Sequence, residues 1–162
     1  MRAQACEAVT DTVMARRAFS RDEASSKPLH RPSLSTILVV DDDPDTRLLL
    51  RLILETDGHE IVEAGDGEAA LALIDPNPLP DVIMTDLTMP MLNGLGLIER
   101  LRSEARTASI PIVVVSANPD AAQALHASGR IEAFVIKPFD ASALASCIRD
   151  LASAPMRPAV VA

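Results

Sequence analysis

The sequence predicts an α/β fold, a five-stranded parallel sheet covered by helices on both faces. Three observations lead there. Five short runs rich in Val and Ile recur through residues 37–136. Helical stretches separate them in strict alternation. Three of the runs are almost continuously apolar, as strands buried on both faces should be. Such alternation calls for right-handed crossovers and leaves no room for a second domain.

The strands are expected at ILVV (37–40), EIVEA (60–64), DVIMT (81–85), IPIVVV (110–115) and EAFVI (132–136). Asp43 can cap the first of five helices, with Pro44 at its first position and Gly58 closing it. Leu49, Leu50, Ile53 and Leu54 are expected to form its core stripe. Leu48 and Leu52, at i and i+4, form a second apolar stripe: either a wide buried face or an exposed docking strip for a partner helix. Gly65 and Gly67 are expected to serve the AGDGEAA turn (64–70) by their backbone freedom. That turn satisfies G-x-G-x-x-A, but Asp66 would repel a pyrophosphate, so nucleotide binding is not expected. Asp140 can cap the last helix. Its Leu144, Cys147, Ile148 and Leu151 fall on one face, and Pro155 and Pro158 stop it.

Composition separates three parts. Residues 1–35 carry a net charge of +2 and mix Ser, Pro, Arg and Ala, which reads as a flexible N-terminal extension. Residues 36–152 carry −11 and hold the domain, and residues 153–162 read as a tail. A chain of net charge −8 has no general affinity for DNA or anionic membrane. Three Phe, with no Tyr or Trp, make no stacking platform for single-stranded nucleic acid. No apolar run reaches the ~18 residues of a membrane span. "RRAF" (16–19) is followed by polar sequence rather than an apolar export segment, so a cytoplasmic protein is expected. Cys6 and Cys147 have no metal-ligand spacing, and Cys147 reads as a small core residue. His30, His59 and His126 share no metal spacing either and are expected in exposed or linker positions.

The polar residues after the strands carry the chemistry. In open parallel sheets, ligands bind at the carboxyl ends of the strands. Asp41 and Asp42 follow the first run, Asp86 the third, Ser116 the fourth and Lys137 the fifth. Crowded carboxylates repel by roughly 4 kcal/mol per pair at ~4 Å and an effective dielectric of about 20, so a cation is needed. Oxygen-only ligands with open positions suit Mg²⁺. A hydroxyl and an ammonium opposite can hold phosphoryl oxygens, and one carboxylate can be the nucleophile that becomes an aspartyl phosphate.

The array VVDDD, VIMTDLTMPMLNGLGLIERLR, IPIVVVSA and AFVIKPF resembles the receiver domain of bacterial two-component response regulators over residues 36 to about 152. The resemblance implies a flavodoxin-like strand order 2-1-3-4-5. It implies Asp86 as phosphoacceptor, and Mg²⁺ held by Asp41, Asp42, Asp86 and the backbone carbonyl of Thr88. Ser116 would bind the phosphoryl group and move toward it on activation, and Lys137 would bond its oxygens. Phe134 matches the aromatic switch position, and Lys137–Pro138 matches a bond that is cis in the family. Thr88 and Asn118 fall where the family tunes hydrolysis. Leu48 and Leu52 lie on the helix that contacts a histidine kinase or histidine phosphotransfer protein. Arg130 stands where the family usually has a small residue. No effector domain follows, so the expected protein is a stand-alone receiver, a phosphoprotein that signals to a downstream protein target without direct DNA binding. It turns over no separate substrate. Two other readings remain open at this point: a Mg²⁺-dependent phosphohydrolase of haloacid dehalogenase type, which would use Asp41 rather than Asp86, and a binding module that is not phosphorylated.

Overall fold

The computed structural model describes residues 35–152. Strands and helices alternate throughout: β1 (Thr36–Val40), α1 (Pro44–Thr56), β2 (Glu60–Ala64), α2 (Gly67–Ile74), β3 (Val82–Thr85), α3 (Gly94–Ser103), β4 (Ile112–Ser116), α4 (Pro119–Ala127), β5 (Ala133–Ile136) and α5 (Ala141–Ala152). The strands form one sheet in the order β2-β1-β3-β4-β5, and all the pairs are parallel. This is the doubly wound order expected. The expectations for residues 1–34 and 153–162, including Cys6, His30 and the stop at Pro155 and Pro158, lie outside the described residues.

Successive strand residues face opposite layers. Leu38, Val40, Ile83, Ile112, Val114 and Phe134 pack toward α2, α3 and α4. Ile37, Val39, Met84, Val113 and Val135 pack toward α1 and α5. Burying one such side chain contributes about 1.5–3 kcal/mol, so both layers are needed to hold the sheet. Cys147 sits in the second core with Leu144 and Ile148, as its stripe predicts. No helix among the described residues is long and apolar enough to cross a membrane.

Asp or Asn starts every helix. Oxygens of Asp43, Asp66, Asn93, Asn118 and Asp140 accept from backbone N–H groups of the first turns that would otherwise lack partners. Asp66 is therefore a cap. Gly58 closes α1 with a φ of 87°, a left-handed value that glycine adopts without Cβ strain.

Four expectations need correction, and one open alternative is settled. Leu49 is not core: it is 49% exposed, and Leu50 and Leu54 with half-buried Ile53 fill the contact face of α1. Leu48 and Leu52 are 46% and 55% exposed, which rules out the wide buried face. His59 is buried, with neither ring nitrogen hydrogen-bonded, and His126 is half-buried with its ring edge-on to Phe134 at 5.7 Å. Neither Gly65 nor Gly67 has a left-handed φ. Gly67 is small for another reason: a Cβ there would lie 2.6 Å from the carbonyl oxygen of Leu92, which accepts the Gly67 N–H. Ser35, the last residue of the expected extension, is buried, and its carbonyl accepts the Glu60 N–H.

Arg102 of α3 ties the opposite end of the sheet together. Its guanidinium donates to the carbonyls of Arg130, Ala108 and Ile110 and to the Glu132 carboxylate, which in turn accepts the Ile112 N–H at 2.6 Å. Arg130 itself is exposed and pairs with Glu99 across 3.3 Å. Truncating Arg102 strands several of these acceptors. Arg102→Ala should lower unfolding stability by about 3 kcal/mol, read from urea unfolding midpoints. Arg102→Lys should recover only part of it, because an ammonium lacks the planar fork.

Candidate phosphoacceptor site

The carboxyl ends of four strands carry the candidate site, and single backbone hydrogen bonds place its residues. The N–H of Asp41 donates to Ala64 of β2, that of Asp86 to Val40 of β1, and that of Lys137 to Ser116 of β4. Each bond carries the strand pairing one step beyond the last strand residue, which fixes the side chains at one edge of the sheet.

Asp41, Asp42 and Asp86 each offer a carboxylate oxygen, and the three atoms lie within 4.8 Å of one another. Asp41 is buried, Asp42 exposed and Asp86 between. The Lys137 Nζ donates to Asp41 Oδ2 at 2.8 Å and to Asp86 Oδ2 at 3.3 Å. Burial opposes the ammonium form of Lys137. The hydrogen bond and charge of Asp41, with Asp86 behind it, outweigh that penalty and hold its pKa above the ordinary lysine value. Asp43 has its pKa lowered, first by the Thr46 hydroxyl and then by the Asp45 N–H, with a smaller part from Lys137. All-oxygen donors, of which one is deeply buried and one open to solvent, fit Mg²⁺, a hard cation that keeps several of its waters.

The Asp86 carboxylate is held on both sides. Its Oδ1 accepts from the N–H of Leu87 at 2.6 Å and more loosely from that of Thr88 at 3.4 Å. Its own carbonyl accepts from the buried Thr85 hydroxyl at 2.8 Å. Thr88 is exposed beside it. Ser116 is buried at the end of β4, and its Oγ accepts from the Asn118 N–H at 3.2 Å. A hydroxyl that accepts one bond can still donate its own proton. Asn118 caps α4. Phe134 is buried, turned into the core layer below the site. The Lys137–Pro138 peptide bond is cis. Leu48 and Leu52 stand on α1, the helix that starts directly after the acidic turn.

A family model described as the response regulator receiver domain matches residues 37–149. The chain belongs to the response regulator receiver family. It is 33% identical to the chemotaxis protein CheY1 of Helicobacter pylori over 105 residues, which covers 64% of this chain and 85% of that protein. It is 39% identical to the response regulator GtcR of Aneurinibacillus migulanus over 106 residues, or 65% of this chain. A sensor histidine kinase, TmoS of Ectopseudomonas mendocina, matches at 37% over 72% of this chain. The chain spans 42% of GtcR and 12% of the kinase. Among solved structures, Vibrio cholerae CheY4 superposes with a TM-score of 0.65 at 26% identity, over 74% of this chain and 99% of that one. The Francisella response regulator 1452 receiver domain superposes at 0.65 with 28% identity, over 73% and 96%. Receiver domains accept a phosphoryl group from histidine kinases and act as signalling switches on downstream targets. The phosphohydrolase reading is not favoured.

Two residues of the site were missed in the sequence. Arg47 donates to the carbonyl of Asp41 at 2.6 Å; a lone cation in DDDPDTR was its signal. Gly94 begins α3 hard against the main chain of Asp86 and Leu87. A Cβ at position 94 would overlap the carbonyl oxygen of Asp86, and the Gly94 N–H donates to Leu87. The receiver domain's β3–α3 connection therefore closes only around glycine. Gly94→Ala should destabilise the domain by about 3 kcal/mol, at the upper end for overpacking. It should also displace the Leu87 and Thr88 amide resonances most of all. Urea unfolding and an amide correlation spectrum check both.

Proposed function

We propose that this chain is a Mg²⁺-dependent phosphoreceiver that takes a phosphoryl group on Asp86 and signals through protein partners. The observation that carries this reading is the Lys137 Nζ within bonding distance of both Asp41 and Asp86. It draws the acids at the ends of β1 and β3 to one cation from β5.

Asp41, Asp42, Asp86 and the Thr88 carbonyl would hold the Mg²⁺, which when bound neutralises charge on the acids and the phosphoryl oxygens. Asp86 Oδ2, the oxygen that Lys137 bonds in the resting chain, attacks phosphorus. The P–N bond of a kinase phosphohistidine breaks, and the imidazole leaves with its electron pair and takes a proton from solvent. Leu87 N–H orients the other Asp86 oxygen through the attack. Lys137 exchanges its contact with Asp86 for a phosphoryl oxygen. The Ser116 hydroxyl moves to donate to a second phosphoryl oxygen, and Phe134 follows into space left below it. Attack of water on phosphorus reverses the state, and Thr88 and Asn118 flank its approach. The protein so described works in the cytoplasm.

Incubation with Mg²⁺ and acetyl phosphate should give a single, labile phosphate adduct by intact mass. Asp86→Ala should abolish it. An adduct that survives Asp86→Ala and vanishes in Asp41→Ala would refute the assignment.

The exposed strip of α1 supports docking of a histidine kinase or phosphotransfer helix, and Leu49 widens it beyond Leu48 and Leu52. Leu48→Ser with Leu52→Ser should slow phosphotransfer from the cognate kinase about tenfold, as loss of an interface anchor does. The rate with acetyl phosphate should not change. Equal slowing with both donors would argue against docking here.

A further inference from the structure

We propose that Arg47 is a positioning residue for the acidic turn, holding the main chain of Asp41 so that its carboxylate is aimed at a divalent cation. Three contacts close a ring around Asp41. The Asp41 N–H donates to Ala64 of β2 at 3.2 Å. The Asp41 carbonyl accepts from Arg47 Nη1 at 2.6 Å. Arg47 Nε lies 3.6 Å from Glu63 Oε2, and Glu63 is the β2 residue next to Ala64. Both peptide groups of Asp41 are thus referred to the same two residues of β2.

The guanidinium does what an ammonium cannot. It bonds a carbonyl with one nitrogen and faces a carboxylate with another, in a fixed plane. Glu63 is itself held, because its Oε1 lies 3.1 Å from Arg51 Nη1, and Arg51 reaches Glu55 one turn on. Arg47 and Glu63 are only 20% and 27% exposed, so the pair is partly shielded from solvent. A cation this close to a metal site would by charge alone oppose metal binding. Glu63 offsets that charge and leaves the bracing. The two effects have opposite signs, which makes the role measurable.

This inference rests on the metal reading above. The test is a MgCl₂ titration of the full, unphosphorylated chain, followed by amide shifts in the β1–α1 turn, with thermal unfolding in parallel. Arg47→Gln should raise the Mg²⁺ dissociation constant about tenfold, the lower range for loss of a residue that orients a metal ligand. Arg47→Lys should not restore it. Glu63→Gln, which keeps the guanidinium and removes its anchor, should raise it about threefold, and it carries the test should Arg47→Gln fail to fold. Wild-type affinity in Arg47→Lys, or a constant that is unchanged or lower in Arg47→Gln or Glu63→Gln despite lower thermal stability, overturns the inference. No Mg²⁺ response in the unaltered chain would remove the metal reading itself, and this inference with it.

Discussion

Lys137 and the acids it joins are the constraint from which the rest of the structure follows. Carboxylates at the ends of neighbouring parallel strands repel by several kcal/mol in a partly buried setting. Asp41 is almost fully buried, with 2% of its side chain exposed, and the Lys137 ammonium stands 2.8 Å from its carboxylate. The ammonium has to arrive from β5, on the far side of β3 and β4. That requirement fixes the register of four strands relative to one another. A slip of one residue would turn each end residue to the other face.

The second constraint is steric and lies around Asp86. Strand ends leave little room where β3 hands over to α3. Gly94 lets the helix start against the carbonyl of Asp86, while Gly67 lets Leu92 close over the start of α2. Between them Met91 takes a φ of 62° and stands 82% exposed. A left-handed backbone at a non-glycine residue is held only when its surroundings over-determine it. Here the contacts of Leu92 and Gly94 do so. The loop beside the acids is thus anchored by backbone contacts at Leu92 and Gly94.

Most of the fold and site was legible in the sequence for a physical reason. Parallel strands buried on both faces are uninterrupted apolar runs, and the residue after each run must stand at the ligand edge. Asp41, Asp86, Ser116 and Lys137 could therefore be placed by counting. Position around a helix is harder to count. Leu49 and Leu50 differ by 100° on α1, and both sit in an apolar string. Which one enters the core depends on Arg47, which takes the next inward place to reach Asp41. His59 was misplaced because a single histidine carries no period, and its burial comes from the chain reversal between α1 and β2. The role of Gly67 depends on Leu92, a partner 25 residues away that no local pattern names.

The contacts of Lys137 also span sequence. Its two partners lie 96 and 51 residues before it in the chain. No hairpin, single βαβ unit or partly folded intermediate can assemble them. The ammonium meets the acidic edge only once the first and last strands share one sheet, so the complete cluster is a property of the finished fold. A nascent or half-unfolded chain holds the acids without the ammonium that faces them.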